Sequence, residues 1–162
     1  MEGTGRRGGR TLVLVAVAVV FLAALPARAA ENYTVQITQI QASGRGGGER
    51  EIDPRLRGLS KQLRAYPYRV YRLIGSPHAM QLAAGETGRM PLAEGGFALE
   101  VRAGEGSRSG FIALELTMTD TERRRTIMST RLHLRDGGTS LVIKELEHER
   151  GALILAIAAA RR

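Results

Sequence analysis

The chain has 162 residues, of which 43% are hydrophobic and 25% charged, and its formal net charge is +8. It contains no cysteine, so disulfide bonds, a thiol nucleophile and a thiolate zinc site are all excluded. Its stability must therefore come from apolar packing rather than from covalent cross-links.

Residues 1–29 have the pattern of a secretory signal peptide. A positive stretch ending at Arg10 precedes an apolar run at 12–25, and a small-x-small triplet closes the segment at Ala29. The run covers 14 residues, fewer than the roughly 20 that cross a bilayer as a helix. We therefore expect export to the periplasm or the cell envelope, with membrane contact only through an uncleaved leader, and a single β-rich domain at 30–162.

The charge of the mature chain comes mainly from arginine. The leader carries four arginines and one glutamate, so its removal lowers the net charge from +8 to about +5. The densest run is Arg123, Arg124 and Arg125, at an expected hairpin tip. Such an excess fits either a solvated surface or binding to an anionic envelope polymer or lipid headgroups. Nucleic acid is not expected as a partner, because no stretch interleaves aromatic residues with these arginines.

The first half of the mature chain predicts two strands around one helix. Alternating apolar residues predict a strand at 33–42, and the alternation slips at 38–40, where we expect a bulge. A helix follows at about 54–65, capped by Asp53 and carrying leucines on one face. The next strand is expected at 68–75.

The second half predicts hairpins separated by glycine-containing turns. One turn is expected at 85–88 and another inside the stretch 129–143, which reads as strand, tight turn and strand. Between them, apolar alternation predicts a long antiparallel pair in which Glu115 lies opposite Arg131. The final apolar run at 151–159 is typical of a central or doubly covered strand.

These elements predict an α+β fold that is mostly antiparallel β. We expect a sheet or sandwich of seven to nine strands with one amphipathic helix.

No segment carries a specific catalytic or cofactor pattern. The glycine-rich loop at 43–51 leads into acidic residues, where a phosphate would need amide hydrogens and positive charge. The spacing of His78, His133 and His148 matches no metal site, and the "GEGSRSG" segment lacks the G-x-S-x-G pattern of a nucleophile elbow. We therefore predict that the protein is not an enzyme and has neither cofactor nor metal. A hydrolase or metal-dependent enzyme is the least favoured alternative.

Tyrosine and arginine alternate in one short segment. Tyr66, Tyr68 and Tyr71 are interleaved with Arg69 and Arg72. Strand alternation predicts that Tyr68 and Tyr71 point to opposite faces. These residues form either core packing with surface hydroxyls or an aromatic and arginine patch that anchors a protein partner.

The last part of the chain, 129–160, resembles the C-terminal β-domain of outer-membrane secretins. There a strand leads into Asp-Gly-x-Thr, an apolar pair follows and an apolar strand closes the sheet. Lys144 and Glu145 replace the glycine pair of secretins, and the gate segment and membrane-lining hairpins are missing, so the resemblance does not imply a pore. The matching positions are Asp136, Gly137, Thr139, Val142 and Ile143.

The wider chain resembles small uncharacterised exported proteins of Gram-negative bacteria. The resemblance rests on "IDPRLRGLSKQL", "YPYRVYRLI" and the late apolar strand, and it brings no activity to transfer. We therefore expect a non-catalytic envelope protein that acts by protein–protein contact. The form that we expect is an accessory role in a secretion or pilus assembly.

Overall fold

The computed structural model of the chain describes residues 31–46, 48–94, 96–105, 110–146 and 151–162. The expected signal peptide lies outside these residues. The described part contains nine strands and one short helical segment, which confirms the predicted fold class. The strands are β1 (Asn32–Arg45), β2 (Glu51–Ile52), β3 (Tyr68–Ala83), β4 (Thr87–Pro91), β5 (Phe97–Ala103), β6 (Phe111–Asp120), β7 (Arg125–Arg135), β8 (Thr139–Leu146) and β9 (Gly151–Arg161).

Two sheets pack face to face as a sandwich. The five-stranded sheet has the order β2-β3-β1-β9-β8, and only its β2–β3 pair is parallel. The four-stranded sheet has the order β4-β5-β6-β7 and is antiparallel throughout. Strand β9 lies between β1 and β8, and every residue from Gly151 to Ile157 is buried. This confirms the central position that its apolar sequence predicts.

The β6–β7 pair has the predicted register. Glu115 lies opposite Arg131 and the two side chains form an ion pair on the outer face, while Ala113 lies opposite His133. The inner side chains of β7 are less buried than those of β6, because β7 is an edge strand. The arginines at 123–125 lie at the tip of this hairpin, as expected.

Two turns predicted as hairpins instead connect the two sheets. The turn after Ala83 joins β3, which pairs with β1, to β4, which pairs with β5. The Asp136-Gly137 turn likewise joins β7 to β8 in the other sheet. Gly85 and Gly137 adopt the left-handed conformation, with φ of 83° and 73°. A tight turn therefore forms where expected, but the local sequence does not say whether the flanking strands pair with each other.

The larger hydrophobic core fills the space between the sheets. The five-stranded sheet contributes alternate residues of β1 and β9, and the four-stranded sheet contributes the inward faces of β5 and β6. Its fully buried side chains include Tyr33, Val35, Ile37, Leu99, Val101, Ile112, Leu114, Leu116, Met118, Leu153, Leu155 and Ile157.

A second, smaller core lies on the opposite side of the five-stranded sheet. A 3₁₀ helix (Pro54–Leu59) runs into α1 (Ser60–Leu63), and residues 54–63, which we call the helical cover, lie over one end of the sheet. The helix is shorter than the predicted 54–65 and begins as 3₁₀. Leu56 and Leu63 are its buried residues, and they pack on apolar residues of β1, β3 and β9.

The predicted cap of the helix is confirmed. The Asp53 carboxylate accepts the Arg55 N–H at 2.9 Å and the Leu73 N–H at 3.3 Å. The Asp53 N–H donates to the Tyr71 carbonyl at 2.9 Å. The Arg55 guanidinium beside this carboxylate holds its pKa well below the usual range. Asp53 therefore joins the helical cover to β3.

The expected bulge is present, but its extra residues lie in β3. Between the pairs Ile37–His78 and Gln39–Ile74, Thr38 alone faces three residues of β3, at 75–77. The pairing of β1 with β9 runs through this point without interruption. The slip in the apolar pattern of β1 therefore marks a change in which face of the sheet is covered.

Candidate functional site

The tyrosines of the predicted partner patch belong mostly to the smaller core. Tyr68 and Tyr71 are 2% and 0% exposed, and Tyr66 is half-buried. The Tyr71 hydroxyl donates to the Leu63 carbonyl at 2.8 Å, within the helical cover. Burial of this hydroxyl raises its pKa. The structure therefore shows core packing for Tyr68 and Tyr71, whose rings are not available to a partner in this conformation.

The prediction that Tyr68 and Tyr71 point to opposite faces is wrong. Their ring centroids are 6.4 Å apart in an edge-to-face contact at 88°. Tyr68 is the first residue of β3, and Gly44 on the adjacent part of β1 has a left-handed φ of 67°. The backbone is therefore not regularly pleated at this end of the sheet, and side chains there do not alternate strictly between the two faces.

Arg45 completes this end of the sheet, although sequence reasoning did not single it out. Its guanidinium lies 5.6 Å from the Tyr68 ring centroid, 3.4 Å from the Tyr68 hydroxyl, and forms an ion pair with Glu145. Because Arg45 and Glu145 are 100 positions apart, no local pattern could have linked them. By contrast Arg69 and Arg72 are exposed, and neither forms an ion pair within the described residues.

The arginine run at 123–125 has a structural explanation. The Asp120 carboxylate accepts the N–H groups of Glu122 at 3.0 Å and Arg123 at 2.9 Å, and thereby holds the turn. The Arg123 guanidinium lies 3.9 Å from the same carboxylate. Asp120 is thus the ion-pair partner of Arg123, whereas Arg124 and Arg125 are exposed and form no ion pair within the described residues.

The feature that sequence reasoning missed is the free edge at β8. Strand β8 ends the order of the five-stranded sheet, and its outer side pairs with no other strand of the described residues. We call this outer side the β8 edge. Leu141 and Ile143 lie on one face of it, half-buried beside the smaller core. The final strand, β9, offers no such edge, because it lies between β1 and β8.

The matched positions of the secretin-like segment form the crossing between the sheets. The Asp136 carboxylate accepts the Arg161 N–H at 2.9 Å, and the Gly137 N–H donates to the Ala159 carbonyl at 2.8 Å. Asp136 and Gly137 therefore attach the end of β7 to the end of β9. Thr139, Val142 and Ile143 follow as part of β8.

Chemically reactive groups are scattered over the described surface. His78 and His133 are exposed on different sheets, while His148, Ser107 and Ser109 lie outside the described residues. Within the described ranges no group of three or more histidine, cysteine, aspartate or glutamate side chains could hold a metal ion. None of the helices in those ranges is both long enough and apolar enough to cross a bilayer.

Comparison with known proteins assigns neither a family nor a function to the chain. No protein-family model matches the chain, and no curated protein matches it.

Proposed function

We propose that the protein is an exported, non-catalytic envelope module that binds a protein partner through the β8 edge. The observation that carries the proposal is an eight-residue edge strand whose outer main-chain groups have no strand partner among the described residues. An extended segment of a partner can add to such an edge, with main-chain hydrogen bonds supplying affinity and side-chain contacts supplying specificity.

The other sheet edges are protected against strand addition. Strand β2 has two residues, and β4 has five and ends in Pro91. Strand β7 carries a register shift next to Met128 and alternating outward arginines. Short length, proline, bulges and charge are the usual devices that block an edge. Strand β8 has no proline and pairs regularly with β9, and its charged residues are Lys144 and Glu145.

The chemistry of the β8 edge favours an apolar partner strand. Leu141 and Ile143 are half-buried on the face that carries the smaller core, so a partner strand with apolar residues on that face would extend the core. Burying apolar surface contributes roughly 25 cal/mol per Å². Partners in a secretion or pilus assembly are the class that the secretin resemblance favours.

Site-specific cross-linking in the native host tests the proposal. Because the chain has no cysteine, Thr139→Cys places a single thiol on β8, to which a photoactivated cross-linker is attached. Gln36→Cys on β1 and Ser129→Cys on the β7 edge are the controls: both residues are exposed whereas Thr139 is half-buried, so accessibility alone would favour capture at the control positions. We expect Thr139→Cys alone to capture one envelope protein, identified by mass spectrometry.

A charge substitution separates docking from folding. Leu141→Lys should abolish that capture while the circular dichroism spectrum is retained, whereas Leu132→Lys, at a half-buried position of β7, should leave it intact. Equal capture from all three cysteine positions, or none from Thr139→Cys, would overturn the proposal.

A further inference from the structure

The positive charge of the mature chain is concentrated in one segment. Residues 31–162 contain 20 Lys and Arg residues and 15 Asp and Glu residues. Of these, eight Lys and Arg residues but only three Asp and Glu residues lie in 45–72. The remainder, 31–44 and 73–162, therefore contains twelve of each sign and is neutral. The whole excess of about +5 thus belongs to the end of β1, the helical cover and the start of β3.

Most of the cations in this segment are free of ion pairs. All eight are exposed. Arg45 is paired with Glu145 and Arg55 with Asp53, and the other six form no ion pair with any part of the chain that the structure describes. The paired carboxylate of Asp53 is already occupied by Arg55 and by backbone N–H groups, so it does not neutralise the neighbouring cations.

The helical cover and Arg64, the residue that caps its C-terminus, hold three unpaired cations on their outward side. Leu56 and Leu63 occupy the inward side and are buried against the sheet, while Arg57, Lys61 and Arg64 are exposed. The backbone that carries them is fixed by the leucines and by the Asp53 cap, so the charges project from an ordered layer. We call these three residues the basic surface, together with the exposed Arg50, whose guanidinium donates to the Arg64 carbonyl.

We propose that the basic surface docks the protein on the anionic phospholipids of a membrane. The helical cover lies on the outer face of the five-stranded sheet, so its outward cations can contact several lipid phosphates at once. Arginine dominates it, and the guanidinium fork binds phosphate oxygens in a bidentate manner. Leu59 and Tyr66 are half-buried beside it, which offers apolar and aromatic contact at the depth of the headgroups. The β8 edge takes no part in this docking, so the inference is independent of the proposed function.

Vesicle sedimentation with charge-matched variants tests the proposal. The probe is phosphatidylcholine vesicles with or without phosphatidylglycerol, and the protein is the full chain. One variant carries Arg57→Gln, Lys61→Gln and Arg64→Gln, and its control carries Arg123→Gln, Arg124→Gln and Arg125→Gln. Both remove three positive charges from exposed positions, so they differ only in place. Any contribution of the leader is common to both.

We expect the first variant to lower the partition onto phosphatidylglycerol vesicles about a hundredfold, at roughly fivefold for each cation near the surface. The control should change it less than about threefold, since its arginines lie outside the basic surface. Equal losses in the two variants, or no preference of the unaltered protein for phosphatidylglycerol, would overturn the proposal. Retention by a soluble sulfated polysaccharide without vesicle binding would also overturn it, and would identify a polymer ligand instead.

Discussion

Strand β1 has two halves that are buried from opposite faces of the five-stranded sheet. In the half that begins at Tyr33, the inner face of β1 packs on the four-stranded sheet, whereas in the half that holds Ile40 and Ala42 the other face packs under the helical cover. Strand β9, by contrast, is buried on both faces, so the adjacent residues Leu155 and Ile154 point to opposite sides and belong to the larger and the smaller core, respectively. The alternation of apolar residues in β1 therefore shifts by one residue between Ile37 and Ile40, because a different face of the strand is covered there. The pairing of β1 with β9 continues through this point without a break.

The largest change in stability is expected when a buried side chain is removed from either core. Leu155→Ala and Ile154→Ala alter adjacent residues of β9, both 0% exposed. We expect each to lower the free energy of unfolding by about 2–5 kcal/mol, through lost transfer energy and the cavity left behind. Urea unfolding measures the total cost, and amide hydrogen exchange shows which cover loosens.

The two variants should differ in where protection is lost. Ile154→Ala should expose the amides of the helical cover first, whereas Leu155→Ala should lower protection across both sheets. If Ile154→Ala left the free energy of unfolding nearly unchanged, the packing under the helical cover would not contribute to stability.

A smaller effect is expected at Gln39, where one half of β1 gives way to the other. Gln39 is 7% exposed, and its side-chain oxygen accepts the Ala93 N–H at 2.8 Å. Gln39→Ala should destabilise the protein by about 1–3 kcal/mol, because the Ala93 N–H loses its partner. Thermal or urea unfolding checks this, with the exposed Gln36→Ala as control. Equal effects at the two glutamines would show that this bond does not join the sheets.

The attachment of the helical cover should depend on pH through Asp53. Its pKa is lowered in the folded protein by Arg55 and by backbone N–H groups, so the carboxylate stabilises the fold above its ordinary pKa. This stabilisation is lost as the pH falls below that value, about 3.9, towards the folded pKa. Asp53→Asn should therefore lower the unfolding midpoint by a few degrees at neutral pH, with a difference that shrinks in acid.

Glu51→Gln is the matched control for this pH dependence. It removes an exposed carboxylate of β2 that forms no ion pair within the described residues. An unchanged difference between the unaltered protein and Asp53→Asn across the acid range would contradict the assignment.

The smallest effect is expected outside both cores, on the solvent face of the four-stranded sheet. Arg131 and Glu115 are 65% and 43% exposed in their side chains, so their ion pair is screened by water and salt. A double-mutant cycle with Glu115→Ala and Arg131→Ala should give a coupling of about 0.2–1 kcal/mol. A coupling of several kcal/mol would mean that this face is covered by something else.

Much of the strand framework could be predicted from local patterns. The register of Glu115 opposite Arg131 follows from apolar alternation in two neighbouring strands, and the Asp53 cap follows from residue types that act within a few positions. Both depend on interactions close in sequence. The central position of β9 also follows from composition, because a strand covered on both sides has no polar face.

The remaining features depend on contacts between distant segments. Whether the turn at Gly137 closes a hairpin or crosses between sheets is decided by what β8 meets elsewhere. The pairing of Arg45 with Glu145 and the meeting of the Tyr68 and Tyr71 rings likewise arise only after the sheet has formed. The β8 edge was missed for the same reason, since strand order is a property of the assembled sheet.

The pairing of the first strand with the last also constrains how the chain folds. Tyr33 lies opposite Arg161 and Ser43 opposite Gly151, so the central pair of the five-stranded sheet joins residues from the two ends of the domain. Such contacts must overcome the loop-closure entropy of almost the entire chain, which slows folding. The five-stranded sheet is complete only when β9 has paired with β1, and until then β1 lacks one of its two neighbouring strands. Because β9 contributes side chains to both cores, neither core is complete until this strand is in place.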